Sequence, residues 1–293
     1  MSAVTTASSR APLAAYLWGL VGVVAFGLTL PATRLAVTHL DAWWVSFARA
    51  SLAALVAGMI LLITGGPRPT RAEFGLLLLT GAGVVLGFPL FTTLAMTVTS
   101  ASHGAVVVGL LPLATAVTGA LIGRERHSAL FWVLSVLGSV TVVGFALLEG
   151  AGQLSWADLA LLGSVISASV GYASGARLAR RLAGWRVICW ALVVCSPLVL
   201  PPMLWLTPRV ALSAPPAAWL SFLYISLASQ LFGFFAWYRG LALGGIARVG
   251  QVQLLQLFIT LIASSLWLGE TVDARTWLFG TLVVLIVAVG RRA

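Results

Sequence analysis

Apolar and polar residues alternate along this chain in long blocks, giving ten apolar runs separated by short breaks. The runs cover residues 13–33, 43–64, 73–97, 104–122, 129–148, 157–176, 187–206, 217–238, 248–268 and 276–290. Most of them reach or approach the roughly 20 residues that a helix needs to cross the hydrocarbon core of a bilayer. The breaks, among them "TGGPRPTRAE", "GRERHS", "EGAGQLSWAD" and "LTPRVALSAPP", carry turn formers or charge. Backbone groups in lipid find no water to bond, so the runs are predicted to be helices. Barrel strands would alternate in polarity, and this Gly- and Ala-rich texture does not. The expected fold is all-α integral membrane, with ten transmembrane helices.

Composition removes the soluble alternatives. Hydrophobic residues make up 60% of the chain and charged ones only 8%, against about 25% charged in soluble domains. Mean hydropathy is +1.06, so lipid must be the solvent for much of the surface. A net charge of +10 would point to nucleic acid in a soluble protein. Here the arginines are scattered between apolar runs, which excludes nucleic acid and leaves the bilayer as the expected surroundings. Cys189 and Cys195 share one run but fall on different helix faces, which argues against a disulfide or a metal site. No cofactor is expected. Behind the first apolar run there is no A-x-A-like cleavage site, so no removable signal peptide is expected.

Charge also sets an orientation. With an even number of spans both termini share one side of the membrane. Placing that side in the cytoplasm gives thirteen inner arginines and three outer ones, Arg34, Arg209 and Arg275, with Arg49 inside the second span. Positive charge stays inside, so the expectation is a multi-pass protein of a bacterial inner membrane with both termini cytoplasmic.

A shift of 145 residues brings "LLPLATAVTGALIGRERHSALFW" into register with "LLQLFITLIASSLWLGETVDARTW", matching Thr115 with Thr260, Glu125 with Glu270 and Trp132 with Trp277. Only four glutamates and twelve tryptophans occur in the chain, so their coincidence at one offset is informative. The offset divides ten spans into two sets of five, residues 1–148 and 149–293. Five is odd, so the second set would enter the membrane inverted, an arrangement typical of secondary transporters. These stretches, with "WGLVGVVAFGLTLPATRLA" and "FARASLAAL", resemble the EamA repeat of the drug/metabolite transporter superfamily over essentially the whole chain. The "IGRE" of the first half departs from the leucine-glycine-glutamate triplet more usual in that family. The resemblance implies an inner-membrane carrier for small metabolites, its cavity lined mainly by spans 1, 3, 4, 6, 8 and 9. Length and an aromatic-rich eighth span are most similar to the YddG-type amino-acid exporters.

Candidate substrate contacts come from polar residues at helical spacing. In the ninth run Gln253, Gln256, Thr260 and Ser264 make one stripe, while Gln251 points away. Gln256 and Thr260 fall near mid-depth; the counterpart of Thr260 is Thr115, and that of Gln256 is Leu111. In the eighth, Ser226, Gln230, Gly233 and Trp237 share a face. Amides bond both an ammonium and a carboxylate, which suits a zwitterion or a polar neutral solute. Interhelical glue is the competing role for all of these and the favoured one for Ser226 and Ser264. Weaker candidates are Thr92 or Thr93 beside Pro89, Tyr172, Trp18, and His103 at the outer end of the fourth span, as a titrating group or a cap. Arg49 is expected to snorkel outward or to pair with Asp41.

None of the seven carboxylates falls in mid-span. Ion-coupled carriers usually keep an intramembrane acid, so facilitated diffusion or exchange is expected. Catalytic signatures such as H-E-x-x-H, G-x-S-x-G and a phosphate-binding loop are missing, and an enzyme is not expected. A small-molecule partner by alternating access is the reading, with aromatic and other amino acids first. Nucleosides, sugars, drugs and a channel-like pore remain open, as does monomer or homodimer.

Overall fold

A computed structural model describes residues 13–123, 128–149, 153–179, 181–210, 212–244 and 249–290. Among these residues there is no strand. The α-helices are α1 (Leu13–Gly27), α2 (Thr29–Val37), α3 (Ala42–Thr64), α4 (Arg71–Thr80), α5 (Phe88–Ala95), α6 (Ala101–Val108) and α7 (Leu111–Gly123). They continue as α8 (Ala129–Glu149), α9 (Trp156–Leu178), α10 (Gly184–Leu206), α11 (Pro216–Leu223), α12 (Gly233–Gly244), α13 (Leu255–Leu268) and α14 (Ala274–Gly290). Among the described residues, eight continuous stretches are long and apolar enough to cross a membrane, and two shorter apolar helices follow, Val252–Leu268 and Ala274–Val289. The ninth run thus yields a shorter helix than its apolar residues suggest, because it opens as a 3₁₀ turn, Gly250–Leu254.

The surface is inverted relative to a soluble protein. In α3, Leu62 and Ile63 are 86% and 85% exposed while Arg49 is 1% exposed. Helices pack through small residues, as expected where lipid tails remove the hydrophobic drive between helices. α1 lies along α12, where a Cβ on Gly240 would come within 3.0 Å of Gly19 Cα. A Cβ on Gly83 would lie 2.7 Å from Gly171 Cα, so α9 passes against backbone there. Helix starts are fixed by side chains: Asp41 accepts from Trp44 N at 2.7 Å, and Ser155 and Asp158 form a capping box on α9. Asp273 accepts from the backbone and hydroxyl of Thr276, and those bonds hold its carboxyl below the usual Asp range.

Several spans are broken. Pro31 and Pro89 cannot donate to the carbonyls four residues earlier, those of Gly27 and Val85. α4 and α5 are joined by a π-helical segment, Gly81–Gly87, and α11 and α12 by another, Tyr224–Phe232. Adding 145 to Gly81–Gly87 gives 226–232, inside the second segment. The break between α6 and α7 at Gly109–Leu110 likewise corresponds to the 3₁₀-to-α junction at Leu254–Leu255. π-Bulges are rare and collect at functional sites.

Candidate functional site

The freed carbonyls are taken by side chains from the other half of the chain. Thr260 Oγ1 donates to Gly27 O at 2.7 Å. Gln230 Nε2 donates to Val85 O at 3.3 Å. Arg49 Nη2 donates to Ile225 O, within the second π segment, at 3.0 Å, and Arg49 Nε donates to Gln230 Oε1 at 2.6 Å. Around these bonds lie two cavities. One is walled by Phe26, Arg49, Phe88, Tyr172, Gln230 and Phe234, with Thr29 and Ser229 sharing a 2.7 Å hydrogen bond at its side. The other is walled by α6, α7, α13 and α14, with Gln253 and Thr260 among its polar residues. Gln256 lines both.

The candidate residues divide accordingly. Gln256, Gln230 and Tyr172 face the first cavity, and Gln253, Gln256 and Thr260 the second. Gln256 Oε1 and Gln253 Nε2 are buried without a hydrogen-bond partner among the described residues. Trp237 is buried beside Phe26, ring centroids 6.3 Å apart, and lines neither cavity. Thr115 and Thr92 donate back to their own helices, at Leu111 O and Phe88 O, and also line neither. Trp18 is 46% exposed and points outward. The side chain of Gln251, like Glu125 of the repeat match, lies outside the described residues.

Three expectations are corrected. Ser226 and Ser264 are not interhelical glue, since they bond Phe222 O and Thr260 O of their own spans; Thr29–Ser229 and Thr118–Ser169 do that work instead. His103 does not cap α6, where Ser100 accepts from the His103 backbone; its Nε2 lies 2.6 Å from Asp158 Oδ1, with the ring stacked on Phe145. Arg49 neither snorkels nor pairs with Asp41, whose carboxylate is occupied at the cap of α3. It points inward to the π segment, and its Nη1 has no partner among the described residues.

Carboxylates are employed elsewhere. Glu73 pairs with Arg181, Asp158 with His103, and Glu270 accepts from Ala101 N and Ser102 N at 2.8 and 2.9 Å. Among the described residues no carboxylate lines either cavity. The first cavity therefore offers a guanidinium, amides, hydroxyls and aromatic faces, with no acid to neutralise the cation.

The profile of the EamA-like transporter family matches this chain twice, at residues 13–147 and 155–290. Over 274 residues it is 46% identical to the uncharacterized transporter YdeK of Bacillus subtilis (strain 168), covering 94% of this chain and 96% of that one. It is 26% identical over 287 residues to a probable terminal-alkyne amino-acid exporter of Streptantibioticus cattleyicolor, covering 94% and 93%. A crystal structure at 17% identity shares the fold, with a TM-score of 0.65 over 95% of this chain and 98% of the other. A chain of apolar, proline-broken helices around interior polar cavities is a multi-pass membrane transport protein. It belongs to the EamA-like transporter family, within the drug/metabolite transporter superfamily.

Proposed function

We propose that this protein is an inner-membrane carrier that exports amino acids, aromatic ones included, by alternating access. In this reading ten helices cross the membrane as two inverted sets of five, with both termini cytoplasmic. The double family match and the correspondence of the two π segments at one offset support the repeat. The relative named as a probable terminal-alkyne amino-acid exporter supports the solute class.

One observation carries the proposal: Gln256 lines both cavities and keeps a buried amide oxygen without a partner among the described residues. A buried acceptor left unmatched costs about 1–3 kcal/mol. A solute that supplies a donor recovers that energy only while bound. Rocking one half against the other would open the shared wall first to one side and then to the other. With no acid among the described residues of either cavity, exchange or facilitated movement is favoured over ion coupling.

Counterflow in proteoliposomes tests this. Purified protein preloaded with unlabelled L-phenylalanine should take up labelled L-phenylalanine transiently above equilibrium, with saturation. Saturable counterflow of a nucleoside or sugar, with none of any amino acid, would replace the solute class. Single-channel current without counterflow would replace the carrier by a pore.

A further inference from the structure

Among the described residues of the first cavity, Arg49 is the one charged group, and its charge has no counterpart on the walls. Its guanidinium is 1% exposed, spends Nε on Gln230 and Nη2 on Ile225 O, and leaves Nη1 unpartnered among the described residues. Guanidinium stays protonated at physiological pH, and a buried unpaired charge is costly unless an anion joins it. Placement matters as much as charge. Gln230 is itself held to Val85 O, so the Nε bond fixes the plane of the fork. A side chain serving only to lock two helices would have no reason to leave one buried nitrogen unpaired.

We propose that Arg49 is the carboxylate anchor of a site for α-amino acids with apolar side chains, resting on the carrier reading above. The ligand carboxylate takes Nη1 of Arg49. Its ammonium turns toward Gln256 Oε1, the partnerless acceptor on the same cavity. The side chain lies among Phe26, Phe88, Tyr172 and Phe234, whose ring faces also attract a cation. The two polar ends come from opposite halves of the chain, Arg49 from the first and Gln256 from the second. A zwitterion would bridge them, and a molecule lacking either charge would not.

The test compares three probes in proteoliposomes: L-phenylalanine, L-phenylalaninamide without the carboxylate, and 3-phenylpropionate without the ammonium. Wild-type protein should prefer L-phenylalanine over the amide by about 10- to 100-fold, the usual effect of losing a charge-assisted bond in a desolvated site. Arg49→Gln should erase that preference and leave the rank of 3-phenylpropionate lowest or undetected. The preference of the wild type is a result in itself, so a variant that fails to fold does not remove the test; Arg49→Lys, keeping the charge, should retain part of it. Wild-type protein that moves the amide as well as the amino acid overturns the anchor while leaving an amino-acid carrier standing. A preference that survives intact in folded Arg49→Gln does the same. If 3-phenylpropionate and other carboxylates move and amino acids do not, the anchor stands and the amino-acid reading falls. If none of the three probes binds or moves, both fall.

Discussion

Replacing Gln256 with leucine should make the protein more stable and a poorer carrier. The change gives Gln256 the residue found at its counterpart, Leu111, and keeps a similar volume. In the free protein it removes an amide oxygen that is buried without a partner among the described residues. Relief of such a group is worth about 1–3 kcal/mol, and about 2–4 °C of Tm accompanies each kcal/mol in a domain of roughly this size. In the liganded protein it removes a bond to a charged donor, worth about 1.5–3 kcal/mol, which converts to about 10- to 150-fold in affinity. Two assays read the two signs: thermal unfolding in detergent without solute, and the half-saturation concentration for L-phenylalanine counterflow. A variant with lower Tm and unchanged counterflow would refute the reasoning, because Gln256 would then be a structural amide and its oxygen satisfied in the membrane.

Other substitutions probe the frame. Thr260→Val strands Gly27 O, whose own-helix partner is lost to Pro31, and should lower stability by about 1–3 kcal/mol in thermal unfolding. Gly22→Ala presses a Cβ to 2.9 Å from Trp237 backbone and should cost about 1–3 kcal/mol, whereas Gly58→Ala meets only Val193 at 3.8 Å and should be neutral or stabilising by about 0.5–1 kcal/mol. Asp158→Ala leaves His103 Nε2 without its acceptor and opens the capping box of α9, for a loss of about 1–3 kcal/mol measured the same way.

The membrane-spanning character was legible because it rests on composition and run length, which local sequence carries. Apolar runs and their breaks predict where helices begin and end to within a few residues, and the Ser-x-x-Asp of α9 marks its own start. Mid-depth polarity was legible too, since helical spacing alone brings Gln253, Gln256 and Thr260 onto one face. What spacing could not supply was the partner of each polar group. Arg49 looked like a surface cation because it stands about two turns inside its span, next to an outer aspartate. Its true destination depends on a carbonyl in a π segment some 176 positions away in sequence, and no local rule reaches that far. Trp18 shows the same limit in reverse: an aromatic in the first span turns to lipid or to cavity by a rotation that only packing of α1 on α12 fixes.

A signal for part of the site was nevertheless present. A proline in a spanning helix frees the carbonyl four residues before it, and in lipid that carbonyl must be bonded by something else. Pro31 points to Gly27 and Pro89 to Val85, and the two groups that answer, Thr260 and Gln230, were already candidates for other reasons. Pro31 and Pro89 mark two carbonyls that bonds between the halves answer, whereas the Val193 carbonyl before Pro197 is answered within its own helix by Ser196 Oγ. Three bonds of the seam between the halves, Thr260 to Gly27 O, Gln230 to Val85 O and Arg49 to Ile225 O, run from a polar side chain to a carbonyl of a broken helix. Such bonds can be exchanged at modest cost, which is what a pair of halves that must part and rejoin around a ligand requires. Arg49 and Gln230 sit at the centre of it, bonded to each other and to both π segments. A carboxylate arriving at Nη1 would therefore act on the same fork that holds the halves together, linking occupancy of the site to the contact that rocking must break.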